Sequence, residues 1–258
     1  MIVIPFDPLV VHVGPWAVRL FGVLAVAGLG AASWFTLRQL DDNDRRRALR
    51  AIAWAIPVGV LSARAADILT WWDYYLLHLQ DLPRLSPDGL LLWGGLVGGG
   101  LVASAALRHD PARRARIFNA AAPGVALGIA IGRFGQLLDG FGQGLPSSLV
   151  WATQYSSRLM ATPDFGVPRH PVQIYDGLIA LGLYFALRQL RPEWRAATFL
   201  IAYAAAGLAL APLKIEPPFL FGLRIEQLLA AATLGTGVTL VRQTGRRAEA
   251  RRVSQAVA

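Results

Sequence analysis

Cysteine is absent from the 258-residue chain, which excludes disulfides, thiolate metal sites and a cysteine nucleophile within the protein. Histidine is scarce: the four present are scattered, with no HxxxH or HxH spacing, so a metal centre is not expected. Charge is scarce too, at 16% of residues against 55% hydrophobic, with a mean hydropathy of +0.45. That balance argues against a water-soluble domain. The opening stretch, MIVIPFDPLVVHVGP, lacks the basic start and small-residue cleavage site of a secretory signal, so it is expected to be retained. A net charge of +9 could suggest nucleic acid, but the basic residues form short arginine clusters between apolar runs rather than one continuous face. The pattern is that of membrane topology, and no nucleic-acid partner is expected.

What is present is apolar sequence in long pieces. A hydrocarbon core of about 30 Å needs roughly 20 residues of helix, and seven segments approach that length: 16–37, 51–70, 90–107, 117–138, 171–187, 196–212 and 219–241. They predict an all-α polytopic membrane protein of about seven transmembrane helices, with residues 1–241 as one transmembrane domain. Lys and Arg gather in short cytoplasmic loops, which supplies an independent check. Seventeen of the 25 basic residues lie in 38–50, 108–116, 188–195 and 242–252, all on one side of the seven-span order. The other side holds Arg84, Arg158, Arg169 and Lys214. The N-terminus is therefore expected outside and the C-terminus inside, with 242–258 a basic, partly disordered tail on an anionic leaflet.

The first outer loop opens with Trp71, Trp72, Tyr74 and Tyr75, rings suited to the headgroup layer, and leads into a short helix on the membrane surface. The longest connection, 139–170, is rich in Gly, Ser, Thr and Pro. It predicts a small extracytoplasmic cap with short strands around Leu149 to Thr153.

Polar residues inside the apolar spans carry the functional signal, because a charge in lipid costs several kcal/mol unless it meets a partner or a polar cavity. Arg64 and Asp67 are three apart and read as a structural pair. The stretch WGGLVGGG, 93–100, offers either close helix approach or backbone N–H groups for a headgroup phosphate. Span four closes with GRFGQLLDGFGQG, 132–144, where Arg133, Gln136 and Asp139 make a polar stripe leading to a glycine turn at 140, 142 and 144. Arg133 can hold phosphate in bidentate fashion, or it can snorkel outward. RHPVQIYDG, 169–177, brings a second stripe of His170, Gln173 and Asp176, with Pro171 suited to a first helical turn. That stripe also reads as interhelical hydrogen-bond glue.

Taken together these stretches resemble the prolipoprotein diacylglyceryl transferase family. GRFGQLLDGFGQG and RHPVQIYDG are similar to its two central motifs, and GPWAVRLFG (14–22), GVLSARAADIL (59–69), LLLWGGLVGGG (90–100) and FGLRIEQLLA (221–230) are similar to four others in the same order. The resemblance implies a bacterial inner-membrane enzyme that moves diacylglycerol from phosphatidylglycerol to the lipobox cysteine in the signal peptide of a prolipoprotein, releasing glycerol phosphate. The nucleophilic thiol then belongs to the substrate, and no cofactor is required. A thiol that displaces phosphate at carbon needs a base, and the departing phosphate needs cations or hydrogen-bond donors.

Carried over residue by residue, the resemblance places Arg133 on phosphatidylglycerol, with Gly135, Gly144, Arg64 and Gln173 as further substrate-binding positions; Arg224, beside the late motif's matched glutamine, is added to them as charge from a new position. Gln136 and Asp139 would orient the headgroup or receive the thiol proton, and His170 with Gln173 would brace the cap. Gln227 matches a late glutamine of the family, Tyr175 a tyrosine of the second motif, and Asp176 its acid. There are departures. Phe21 stands in place of a tyrosine, Trp93 of a histidine, Gln136 and Asp139 of asparagines and Phe141 of a glutamate. Gly207 and Ala211 stand in place of an arginine and a glutamate after Tyr203. Two readings follow: Asp139, Arg224 and Glu226 supply charge from new positions and the chain is active, or it binds lipid or lipoprotein without turnover.

Overall fold

The structure, a computed structural model, describes the chain apart from residues 6–8, 14–15, 84–88, 157–165 and 258, with the backbone alone at 9–10, 12–13, 16–17 and 247–257. Gly14 and Pro15 of the first motif and the loop arginines Arg84 and Arg158 lie outside the described residues.

Seven helices of 15 residues or more make up the body among the described residues: α1 (Leu20–Arg38), α2 (Asp42–Thr70), α4 (Leu92–Ala106), α5 (Pro111–Asp139), α6 (Val172–Gln189), α7 (Arg195–Leu210) and α8 (Ile225–Val257). A short α3 (Trp72–Leu77) follows α2. Four segments are long and apolar enough to cross a membrane, namely α1, α2, α5 and 192–213 around α7, while α4 is apolar but shorter. Large apolar side chains point outward along them, as at Val26 and Leu101, which are 71% and 67% exposed. Such a surface suits lipid and not water.

Short strands interrupt the helical pattern, and β-branched residues cluster in two of them, IVI and LVVHV. β2 (Leu9–Val13) and β3 (Trp16–Arg19) form an antiparallel hairpin, and β1 (Ile2–Ile4) pairs in parallel with β4 (Thr153–Tyr155). The first helix thus begins at Leu20 instead of 16, and the strand expected near Leu149 to Thr153 lies slightly later. At the other terminus α8 continues to Val257. The alanines, arginines and glutamate of the expected disordered tail are good helix formers, and the preceding helix supplies the nucleus.

Glycine decides how closely the helices approach. At Gly28 of α1 an added Cβ would sit 2.6 Å from the Gly128 carbonyl oxygen of α5. At Gly94 of α4 it would sit 2.5 Å from the Ser62 carbonyl oxygen of α2. Gly95, Gly98 and Gly99 also face α2, so WGGLVGGG serves close helix approach.

The helix ends sort by charge. At one end Asp41 caps α2, accepting hydrogen bonds from Asn43 and Asp44 N–H, and Asp110 caps α5 just before Pro111. The Arg113 backbone N–H holds the Asp110 carboxyl below the usual carboxylate range. Buried Asp44 accepts from Arg113 at 2.7 Å and Arg116 at 2.8 Å, tying the start of α2 to that of α5. Arg195 donates to Gln39 at 2.9 Å, so the starts of α2, α5 and α7 and the ends of α1 and α6 meet in one arginine-rich layer. The candidate site lies at the opposite end.

Candidate functional site

The site grows from the last two turns of α5. Arg133 is 9% exposed, a burial that requires its charge to be met. Its Nη1 donates to Gln136 Oε1 at 2.5 Å, one turn along the helix, and its Nη2 meets Asp176 Oδ2 at 2.6 Å in the first turns of α6. Both expected polar stripes therefore converge on one ion pair. Gly177 makes room for it, since a Cβ there would lie 3.2 Å from Arg133 Cβ. Arg133 Nε is buried with no acceptor of its own. Snorkelling is thereby replaced by an inward pair.

Three further groups gather around that pair. The buried Tyr203 hydroxyl of α7 faces Arg133 and Asp176 without a hydrogen bond of ordinary geometry. Glu226, in the first turn of α8, lies within electrostatic reach of Arg133 and forms a buried ion pair with Lys214. Glu226 Oε1 is buried and unpartnered. Of the acids proposed to replace missing charge, Glu226 is thus near Arg133. Asp139 is engaged elsewhere: its Oδ2 accepts from Arg19 Nε at 3.0 Å, joining the end of α5 to the residue before α1.

Gly140 ends α5 in the left-handed region, at φ 85°. Behind it Gln173 donates to the Phe141 carbonyl at 2.8 Å, and the Gly144 N–H donates to the His170 carbonyl at 2.9 Å. Gly144 also lies against the 211–214 segment, 2.5 Å from the Leu213 carbonyl oxygen to an added Cβ, so no side chain fits. Gly135 is in contact with Phe21, whose Cα would lie 3.1 Å from an added Cβ. These glycines bring backbone to backbone. His170 turns to Tyr175, with Nδ1 3.4 Å from the hydroxyl that also accepts from Trp151 Nε1 at 2.8 Å. The imidazole therefore sits beside Tyr175 of α6, whose hydroxyl links it to Trp151.

Two proposed binding arginines hold loops. Arg64 is 5% exposed and pairs with Asp67 at 3.0 Å, as its spacing predicts. It also donates to Tyr75 Oη at 2.7 Å and to the Asp81 carbonyl at 2.6 Å. Tyr75 consequently turns inward, away from the exposed Trp71, Trp72 and Tyr74; burial first, and the Asp67 carboxylate second, push its phenol up to about 12. Arg224 donates to the Glu216 carbonyl at 2.7 Å and the Lys214 carbonyl at 3.2 Å. Its backbone N–H donates to Gln227 Oε1 at 2.9 Å, the reciprocal half of a helix cap, which gives the late glutamine a structural use.

Four of the sequence departures fall in two contacting pairs. Phe21 and Phe141 meet edge to face with centroids 4.8 Å apart. The Trp93 ring occupies the space that a side chain at Gly207 would need, and it stacks on Tyr203 at 5.3 Å. In these two pairs the apolar groups pack on each other, ring on ring at Phe21 and Phe141 and ring over the bare backbone at Trp93 and Gly207.

Fold and site together define a helical membrane protein with a buried charged cluster at one end of its bundle. Within that class the chain belongs to the prolipoprotein diacylglyceryl transferase family, whose pattern matches residues 8–242. It is 26% identical over 229 residues to the phosphatidylglycerol–prolipoprotein diacylglyceryl transferase of Finegoldia magna, covering 85% of this chain and 88% of that one. The enzyme of the same name from Dehalococcoides mccartyi strain 195 is 27% identical over 246 residues, 92% of this chain and 94% of the relative. That of Geobacillus kaustophilus is 28% identical over 197 residues, 72% and 71% of the two chains.

Proposed function

We propose that this protein transfers the diacylglyceryl group of phosphatidylglycerol to the lipobox cysteine of prolipoproteins in a bacterial inner membrane, through seven spans with the N-terminus outside. The observation that carries the reading is the buried Arg133–Asp176 pair with Gln136 on its flank and Glu226 and Tyr203 beside it. Buried charge of that density is costly for a structural role alone, and family membership supplies the reaction it suits.

The headgroup phosphate takes over the guanidinium of Arg133, which Gln136 positions, and so releases the Asp176 carboxylate. Asp176 accepts the proton of the incoming cysteine thiol. The thiolate attacks the glyceryl carbon bearing the phosphate, a C–S bond forms, the C–O bond breaks, and the electron pair leaves with glycerol phosphate. Lys214 and Arg224 add positive charge for that departing anion. Asp139, pinned by Arg19, and His170 with Gln173 hold the surrounding segments, including the cap formed by 139–170. Gly135 and Gly144 keep those segments close, and Arg64 anchors the loop after α2.

Thiol-dependent release of glycerol phosphate from phosphatidylglycerol is the test. Arg133→Ala is expected to abolish release, and Asp176→Asn to lower kcat by at least about 100-fold while leaving lipid binding in place. Complementation of a strain depleted of its own transferase is the companion measurement. Lipid binding without release by the unaltered chain would instead establish the non-catalytic reading.

A further inference from the structure

At the arginine-rich end of the bundle, away from the cluster around Arg133, a cavity of about 270 Å³ opens between α1, α5, α6 and α7. Arg38, Arg188 and Arg195 line it with Gln39, Phe35 and Pro123, and no carboxylate does. Among the described residues none of the three arginines has an ion pair.

The cavity is organised before any ligand arrives. Gln39 Nε2 donates to the Phe35 and Ala120 carbonyls, both at 3.0 Å, which turns its Oε1 toward Arg195 Nη1 at 2.9 Å. Arg195 also donates to the Leu190 and Arg188 carbonyls, at 3.2 and 3.4 Å. All its acceptors are neutral, so its position is fixed while its charge is left uncompensated. Arg188 donates to Tyr184 Oη at 3.1 Å, and Arg38 lies 4.4 Å over the Trp34 ring. Arg38 and Arg188 stand in the last turns of α1 and α6, where a cation complements the helix dipole. Arg195 stands at the first residue of α7, where the dipole is positive and disfavours it. Topology alone calls for arginines at this end, and their convergence on one cavity that no carboxylate lines suits an anion.

We infer that this cavity binds the phosphate of an anionic phospholipid headgroup at the membrane surface opposite the transfer site. Guanidinium groups match phosphate oxygens by geometry and by charge, and basic pockets between membrane helices are suited to such headgroups. The cavity takes a headgroup and not a whole lipid. Exposed Trp34 and Phe185, on α1 and α6 beside the arginines, provide an apolar flank for acyl chains, which favours lipid over free phosphate. The inference does not rest on the transferase reading.

Native mass spectrometry of the full chain in neutral detergent, titrated with phosphatidic acid, tests it. Phosphatidic acid carries the phosphate without the glycerol headgroup. Arg38→Gln/Arg188→Gln is expected to weaken one binding event about tenfold. Arg45→Gln/Arg46→Gln, which removes equal charge from outside the cavity, should change it less than about twofold. The same loss is expected in an Arg133→Ala background, which separates this event from binding at the transfer site. Should that background fail to fold, retention of transferase turnover by Arg38→Gln/Arg188→Gln makes the same separation. Displacement of the lipid by millimolar inorganic phosphate would assign free phosphate as the occupant and overturn the lipid source. Equal losses in the two double variants, or no loss in the first, would overturn the site.

Discussion

Arg64 shows how a membrane arginine becomes part of the frame. It meets Asp67, Tyr75 and the carbonyls of the loop after α2 inside a nearly dry shell. Removing one partner of a buried pair leaves the other uncompensated, at a cost of about 3–5 kcal/mol. Arg64→Ala is therefore expected to lower the melting temperature in detergent sharply, and Arg64→Ala/Asp67→Ala to recover part of the loss. Trp93 and Gly207 form a second coupled pair. Gly207→Arg alone drives a side chain into the indole, so it should destabilise or prevent accumulation of the protein. Trp93→His/Gly207→Arg should restore the folded yield, measured by size-exclusion recovery. Spacing along one helix made Arg64–Asp67 legible from the sequence. Arg133–Asp176, Asp139–Arg19 and Lys214–Glu226 were not, because their partners are 43, 120 and 12 residues apart and on different elements. The general requirement that a membrane charge find a partner pointed to each pair without naming its members.

Among the elements, the glycine seams matter most. The α1–α5 contact runs through Gly28, Gly128 and Gly124, each within 2.7 Å of an opposing carbonyl oxygen once a Cβ is added. Gly28→Val meets backbone and not a flexible side chain, so a loss of about 1–3 kcal/mol is expected, read as a lower unfolding midpoint in detergent. Gly30, with open space around it, is the matched control. Apolar length and arginine clusters made six of the seven long helices legible to within a few residues at most of their ends. The seventh, α8, ran on through a stretch whose polarity suggested disorder, because helix propensity does not require hydrophobicity. The N-terminal strands were hidden for the opposite reason: WAVR runs straight into the first apolar segment, and IVI and LVVHV are short apolar pieces that only β-branching marks as strand.

For the whole molecule, the collection of seventeen basic residues into segments at one end of the helices gives the orientation its physical basis. A reporter joined after Ala258, which is outside the described residues, is expected to register as cytoplasmic, and an extracytoplasmic signal would reverse the proposed topology. On the readings proposed above the two ends divide the work: transfer chemistry at one, and an arginine-lined headgroup site at the other.

The Arg133–Asp176 contact also bears on what could occupy the proposed transfer site. With each charge already answered by its neighbour, the pair exerts little net pull on a small hydrated anion. On the proposed reading a competitor must bring apolar bulk to offset the separation of the two side chains, so selectivity for a lipid over loose salts would arise from a pair that is at rest until a greasy ligand prises it apart.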